Sequence, residues 1–298
     1  MKSKFAFFLL GFTSSIILFL ITFLLVGKVR LRNYYYFLNS TLRKSFVSQS
    51  KFKEYDFSTC LPQKISYVPD QSSVVIGHAY GRGQSKINRK NLNPKVDRFL
   101  LENKNKIDTL FLTGDVFNIP SLAKWEYLYE KYEEYFDIYI APGNHDVDFP
   151  YGDLFKLYIS KKQPINFPFI LKKSGFNIVV DDSNLPKTLF DFEDNIEKFN
   201  VLNGDVIFLR HHVLIDKLSS FGGSNKKLLK KQIFEKLLKN NSNIYFVYGN
   251  GGMYANKPRI ACFEHKNITH LLNGIGDFND DLILILNKNK IYSYNIGN

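Results

Sequence analysis

The sequence predicts an α/β protein built of stacked layers, and three observations carry that prediction. Short apolar runs rich in Val, Ile, Phe and Tyr alternate with amphipathic helical stretches. The chain closes on "LILILNKNKIYSYNI", a hairpin pattern with Asn and Lys at its turn. His, Asp and Asn residues stand directly after several apolar runs, at the strand ends where ligand sites of α/β sheets collect. A chain of 298 residues that is 45% hydrophobic and 16% aromatic supplies one sizeable core and excludes global disorder.

The first element is not globular. "FAFFLLGFTSSIILFLITFLLVG", Phe5 to Gly27, carries no charge and has about the length that crosses a bilayer core of roughly 30 Å as a helix. A retained single-span anchor is expected rather than a cleaved signal peptide, because the run exceeds an ordinary h-region and no A-x-A-like site follows it. Lys2 and Lys4 precede the span and Lys28, Arg30 and Arg32 follow it, so positive-inside counting leaves the side of the membrane open. The expected layout is a transmembrane anchor over 1–28, a basic, aromatic juxtamembrane stalk over 29–71, and one domain over 72–298.

The formal charge of +12 belongs mostly to the start of the chain. Lys2, Lys4, Lys28, Arg30, Arg32, Arg43, Lys44, Lys51 and Lys53 all precede Glu54, the first acid, and these nine leave +3 for the rest. The basic excess is therefore juxtamembrane, where it suits anionic head groups or serves as a topology signal. No nucleic-acid partner is expected, since no RNA- or DNA-binding motif accompanies the charge. Cys60 and Cys262 could pair if the domain faces an oxidising compartment, but two cysteines in no C-x-x-C or zinc-type spacing are no framework, and they are read as small buried or idle thiols.

From Ser72 onward the expected strands are "SVVIGH", "TLFLTGD", "DIYIAPGNHD", "NIVVDD", "DVIFLRHH" and "NIYFVYGN". Helices are expected at "PKVDRFLLENK", "SLAKWEYLYEKYEEYF" and "NKKLLKKQIFEKLLKNN". The strand ends present His78, Asp115, Asn144, His145, His211 and Asn250, which such a sheet would bring together. "LTGDVF" puts a carboxylate, Asp115, where it can bridge two cations. "APGNHDVDF" offers an amide oxygen, Asn144, beside an imidazole, His145. His265 and His270 lie in or near the "ITHLL" strand and are read as structural.

With those motifs in order, the chain resembles the calcineurin-like metallophosphoesterase family, whose motifs run D-x-H, G-D, G-N-H-D/E, H and G-H-x-H at strand ends. The resemblance covers Ser72 to the C-terminus and includes the Gly-rich turn in "ITHLLNGIGD". It implies a four-layer α/β/β/α sandwich and divalent metal ions, with Mn, Fe or Zn as candidates. It also implies that Asp115 bridges, that Asn144 and His211 hold the second ion, and that His145 serves the leaving group with Asp146 as its orienter. The neighbouring His212 is left as the alternative to His211.

Two motifs depart from the family. Its Asp-x-His-Gly becomes His78-Ala79-Tyr80-Gly81, and its Gly-His-x-His becomes Gly249-Asn250-Gly251-Gly252. One ion is therefore expected rather than two, held by Asp115, Asn144 and His211, with His78 and Asn250 as further ligands. The function expected is hydrolysis of a phosphate mono- or diester by a metal-activated water. A membrane anchor suggests a lipid- or glycan-linked substrate. The rival is a pseudoenzyme that uses the same cleft to bind a phosphorylated ligand or partner protein.

Overall fold

The computed structural model describes residues 60–81, 90–148, 150–184, 204–214, 242–251 and 259–297. The expected anchor at Phe5–Gly27, the expected helix in 225–241 and Gly252 lie outside the described residues. Among the described residues no helix is long and apolar enough to cross a membrane.

Two six-stranded sheets carry the domain. The first contains β1 (Gln63–Ile65), β2 (Ser72–Ile76), β3 (Ile107–Leu112), β4 (Asp137–Ile140), β11 (Leu282–Asn287) and β12 (Lys290–Asn295), in the order β1-β12-β11-β2-β3-β4. The second contains β5 (Phe169–Lys173), β6 (Phe176–Val180), β7 (Val206–Arg210), β8 (Ile244–Tyr248), β9 (Ile260–His265) and β10 (Ile268–Asn273), in the order β5-β6-β7-β8-β10-β9. Strands β2, β3 and β4 run parallel, as do β6, β7, β8 and β10. Each of these sets therefore delivers its C-terminal ends to one rim.

The alternation along β2 shows how the layers form. Val74 and Ile76 join a core with Leu110, Leu112, Trp125 and Phe155, under the helices. Val75 turns the other way and packs with Phe111, Ile178, Val180, Ile207, Leu209 and Val247 between the two sheets. Strands buried on both faces read as unbroken apolar runs for this reason. Helix α1 (Pro94–Glu102) begins at an Asn93 cap with Pro at its first position, and buries Val96, Phe99 and Leu100. Helix α2 (Leu122–Tyr132) begins at a Ser121 cap and buries Trp125 and Leu128. Short helices α3 (Asn144–Val147) and α4 (Gly152–Ile159) follow β4.

Strands β1, β5 and β9 were not among the expected elements. Strand β5 is paired to β6 through Ser174 and Gly175, with φ of 50° and 89°, a two-residue turn whose positive φ values match the strand twist. Strand β1 pairs with β12, so the first sheet takes up residues ahead of the Ser72 start expected from the sequence. The expectation of two thiols is corrected as well. Cys60 and Cys262 form a disulfide, with Cα atoms 5.5 Å apart and 202 residues between them. It ties the residues ahead of β1, at one edge of the first sheet, to β9 at an edge of the second. Only the stacking of the sheets brings together two cysteines so distant in sequence.

Candidate metal centre

Backbone contacts at the rim fix the site before any side chain acts. The His78 N–H donates to the Gly114 carbonyl at 3.2 Å, and the Asn250 N–H donates to the His211 carbonyl at 3.1 Å. The turns interlock so tightly that a Cβ on Gly77 would lie 2.5 Å from Gly249 Cα and 2.6 Å from the Asn273 carbonyl oxygen. A Cβ on Gly114, whose φ is +84°, would lie 2.5 Å from His211 Nδ1. Two site residues are themselves held in the left-handed region, His78 at φ 49° and Asp115 at φ 52°. Non-glycine residues adopt that region at a cost of about 1–3 kcal/mol, and it recurs at functional sites.

Asp115 is the centre of the cluster. Its Oδ1 accepts the backbone N–H of His145 at 3.0 Å. Its Oδ2 faces three imidazoles: His78 Nε2 at 3.4 Å, His211 Nε2 at 3.4 Å and His145 Nε2 at 4.0 Å. Burial pushes the Asp115 carboxyl up, but the surrounding histidines, His211 foremost, outweigh it and hold the group well below the ordinary range. Ligand atoms of His78, Asp115 and His211 all lie within 4.8 Å of one another, and all three residues are buried.

The tautomers follow from the partners. His211 Nδ1 lies 3.1 Å from the Thr113 carbonyl, which can only accept, so Nδ1 carries the proton. A neutral His211 then turns its Nε2 lone pair toward Asp115, and among the described residues that buried nitrogen has no hydrogen-bond partner. Two lone pairs facing each other at 3.4 Å require a proton or a cation between them. Burial lowers the His211 pKa, yet the Asp115 charge and the Thr113 carbonyl raise it by more, so the net direction is upward. The donor set fits a divalent cation: a buried imidazole whose second nitrogen is anchored to a carbonyl is the usual dress of a ligating histidine. His78 completes the set, with Nε2 also 3.3 Å from Asn250 Oδ1 and Nδ1 buried without a partner among the described residues. Burial, above all, lowers the His78 pKa to about 4, which leaves the ring neutral and able to ligate.

The remaining expected residues divide. Asn250 is buried and its Oδ1 lies 3.3 Å from His78 Nε2. Asn144 heads α3, one residue after Gly143, and a Cβ on Gly143 would lie 3.0 Å from the Asp115 carboxyl carbon. The adjacent histidines separate cleanly: His211 faces Asp115, while His212 places Nε2 3.0 Å from Asn184 Oδ1. His145 is the open member, with 31% of its side chain exposed and Nδ1 2.8 Å from the Asn118 carbonyl.

Asp146 does not orient His145, contrary to the expectation from the motif. Its Oδ1 accepts the Val116 N–H at 3.1 Å and its Oδ2 accepts the Gly143 N–H at 2.9 Å. It ties the Asp115 turn to the Asn144 turn, and the Asn118 carbonyl does the orienting instead. Burial, then the Asp115 charge, pushes the Asp146 carboxyl up to about 7, opposed by those two N–H donors. A backbone carbonyl leaves no trace in a sequence pattern, which is why neither Asn118 nor Thr113 was foreseen. Asn184, the His212 partner, follows the expected strand end "NIVVDD" by two residues and gave only that weak signal.

Two stacked sheets with His and Asp side chains converging on a buried carboxylate at one rim define an α/β protein with a candidate metal site. Residues 87–274 match the family described as calcineurin-like phosphoesterase, and the chain belongs to that family. Its members use divalent metals on phosphate esters. A comparison with curated protein sequences gives no match. Among solved structures the chain is similar to a 5'-nucleotidase from Candida albicans SC5314, at 12% identity and a TM-score of 0.40, covering 75% of this chain and 49% of that one. The chain thus spans about half the length of that protein, and nothing about its chemistry follows from a likeness at this level.

Proposed function

We propose that this chain is a membrane-anchored hydrolase of phosphate mono- or diesters that works with one divalent cation. The observation that carries the reading is the convergence of His78, Asp115 and His211 around one point, with the more exposed His145 beside it. His78, Asp115 and His211 would hold the cation, with Asn144 and Asn250 adjacent. Two imidazoles and one carboxylate favour Zn, Fe or Mn over Mg or Ca, which prefer all-oxygen cages. The bound cation supplies a Lewis acid that polarises the phosphoryl group and acidifies the attacking water.

The chain's own residues do the rest. The Asn118 carbonyl accepts from His145 Nδ1 and turns Nε2 toward Asp115, so a protonated His145 can deliver its Nε2 proton to the departing alkoxide. Asp115 stabilises the positive ring before the transfer. Asp146 keeps the two turns in register through Val116 and Gly143.

The Cys60–Cys262 disulfide and the apolar Phe5–Gly27 segment together support a domain on the oxidising side of a membrane. The substrate would then be a phosphate ester presented at that surface. A second reading, a protein that binds a phosphorylated ligand without cleaving it, draws on Asn250 and Gly252 standing where the family places two histidines. Full-length protein in detergent, loaded in turn with Zn, Fe and Mn, separates the readings. One cation per chain and turnover of p-nitrophenyl phosphate supports the hydrolase, and one cation with phosphate binding but no turnover supports the binder.

A further inference from the structure

Strand β7 ends on a buried charge. Arg210 is its last residue, and its side chain is 0% exposed. The parallel register sets Val180 of β6 against Leu209, so the next residues, Asp181 and Arg210, fall side by side. Arg210 Nη1 lies 3.1 Å from the buried Asp181 Oδ2, but off the line of a hydrogen bond, so the two attract as charges. Removing such a pair from water costs free energy that its attraction often fails to offset, and an apolar pair of the same volume stabilises a core as well or better. Stability alone therefore gives no reason for this pair.

The guanidinium has a second contact, and it lies beside the metal centre. Leu209 belongs to the core between the sheets, so strand alternation turns Arg210 to the opposite face and returns His211 to the inter-sheet side, where its Nδ1 meets the Thr113 carbonyl. From that opposite face Arg210 Nε donates to the His212 carbonyl at 3.1 Å. Three successive carbonyls are thus held. The Gly249 N–H takes that of Arg210 at 2.9 Å, the Asn250 N–H takes that of His211 at 3.1 Å, and the Arg210 side chain takes the next. The last bond closes a ring of chain with His211 inside it. The segment that supplies Asp181 grips the same bend twice more: the His212 N–H donates to Ser183 Oγ at 3.0 Å, and His212 Nε2 lies 3.0 Å from Asn184 Oδ1.

Resting on the metal-centre reading, we propose that Arg210 is a positioning residue for the cation: fixed by Asp181, it holds the bend after β7 and keeps the His211 ring aimed at the metal position. It acts through the backbone of His211, not as a ligand. The Asp181 charge fixes the guanidinium, and the guanidinium fixes the His212 carbonyl.

The test separates positioning from stability. Zinc affinity is measured by chelator competition on the full-length protein in detergent, and stability by thermal unfolding without metal. Arg210→Met with Asp181→Leu removes both charges together, so stability should stay near the parental level. Zinc affinity should nevertheless fall by about 10–100-fold, the range for groups that orient a ligand. Arg210→Lys keeps a charge beside Asp181 but loses the Nε donor, and should weaken zinc similarly. Phe208→Leu, on the same face of β7, should lower stability and leave zinc affinity unchanged. Cobalt in place of zinc gives a visible spectrum that reports ligand geometry, and it should change in both Arg210 variants but not in Phe208→Leu. Parental zinc affinity and cobalt spectrum in the double variant overturn the proposal, and if that variant does not fold, the same result in Arg210→Lys does so. A loss of affinity in Phe208→Leu as large as in Arg210→Lys also overturns it, because affinity would then merely follow stability. A parent protein that binds no zinc or cobalt overturns the metal reading itself, and this proposal with it.

Discussion

The two sides of the metal centre differ in how far backbone groups provide for their polar side chains. On the β3, β4 and β7 side, Asp115 Oδ1 has the His145 N–H, both Asp146 oxygens have backbone donors, and His211 Nδ1 has the Thr113 carbonyl. On the β2 and β8 side, His78 reaches a side chain instead, Asn250 Oδ1 at 3.3 Å from Nε2, while among the described residues each side keeps one buried imidazole nitrogen without a partner, His78 Nδ1 and His211 Nε2. Yet the backbone is equally tight on both sides, with Gly77 and Gly249 as closely packed as Gly114 and Gly143. Among the described residues the departures from the family pattern thus fall on side chains of the candidate metal centre, while the turns that position them are closely packed. A ligand can be exchanged at the cost of metal affinity alone, whereas a Cβ at Gly77 would meet backbone and force the sheets apart.

The well-provided side is the easiest to break. Asp115→Asn removes the only anionic ligand of the triad and leaves three imidazoles without their counter-charge. Bound metal, measured by mass spectrometry, should fall to background and hydrolysis with it, a loss greater than the roughly 10–100-fold typical of changes one shell further out. If Asp115→Asn retains a full equivalent of metal, the centre lies elsewhere and the comparison fails.

His145→Ala tests the same side without touching the cation. Activity should fall by about 10²–10⁴-fold, the usual worth of a positioned proton donor, while metal content stays at the parental level. The loss should shrink for an ester with a strongly acidic alcohol, which needs no proton to leave. An equal loss for p-nitrophenyl phosphate and an alkyl phosphate would assign His145 to binding instead.

How much of this was legible beforehand follows the same division. The strand-end pattern "LTGD", "APGNHD", "LRHH" announced the provided side, because a strand must stop where its polar ligands begin. The altered side was legible only as a departure, since His78 and Asn250 fit no ligand spacing and their contact joins β2 to β8 across 172 residues. Strands β1 and β9 were missed because one is three residues long and the other, "IACFEH", ends in exposed polar residues at a sheet edge. The disulfide was missed for a related reason: no local pattern announces a bond made by two edges of different sheets. The exchange between Asp146 and Asn118 was illegible in principle, because which carboxylate accepts from which N–H depends on loop paths rather than residue types.

Rebuilding the altered side gives a smaller effect in the opposite direction. Asn250→His and Gly252→His together with His78→Asp restore two imidazoles and an anion. Imidazole is a stronger donor to Zn or Fe than an amide oxygen. Metal per chain should rise from one toward two, and aryl phosphate hydrolysis should increase about tenfold to a hundredfold as a second cation shares the developing charge. A variant that binds two cations and gains nothing would show a cleft diverged beyond its ligands, and would favour the binding protein.

The smallest effect contrasts one residue type in two settings. His211 has Asp115 beside it and its pKa is raised, whereas His270 has no acid and burial lowers its pKa to about 3. His270 Nδ1 accepts from the Tyr248 hydroxyl at 2.8 Å, and its ring stacks on Phe246 with centroids 5.2 Å apart. An unfolded histidine titrates near ~6.5. Between that value and about 3 the unfolded chain binds a proton that native His270 refuses. Its contribution to stability is therefore complete above pH ~6.5 and declines by about 1.4 kcal/mol per unit as pH falls. His78 and His212 are shifted in the same direction, whereas Asp146, Asp182 and His211 are raised and act in the opposite one, so the test reads the contribution of His270 alone. His270→Phe preserves the stacking but leaves the Tyr248 hydroxyl without its acceptor, which should cost about 1–3 kcal/mol at every pH. The informative quantity is the slope: urea unfolding between pH 6.5 and 4.5, in chelator, should lose about one proton's worth of pH dependence in the variant. An unchanged slope would mean that His270 is charged in the native domain, and that burial without an acid does not keep a histidine neutral here.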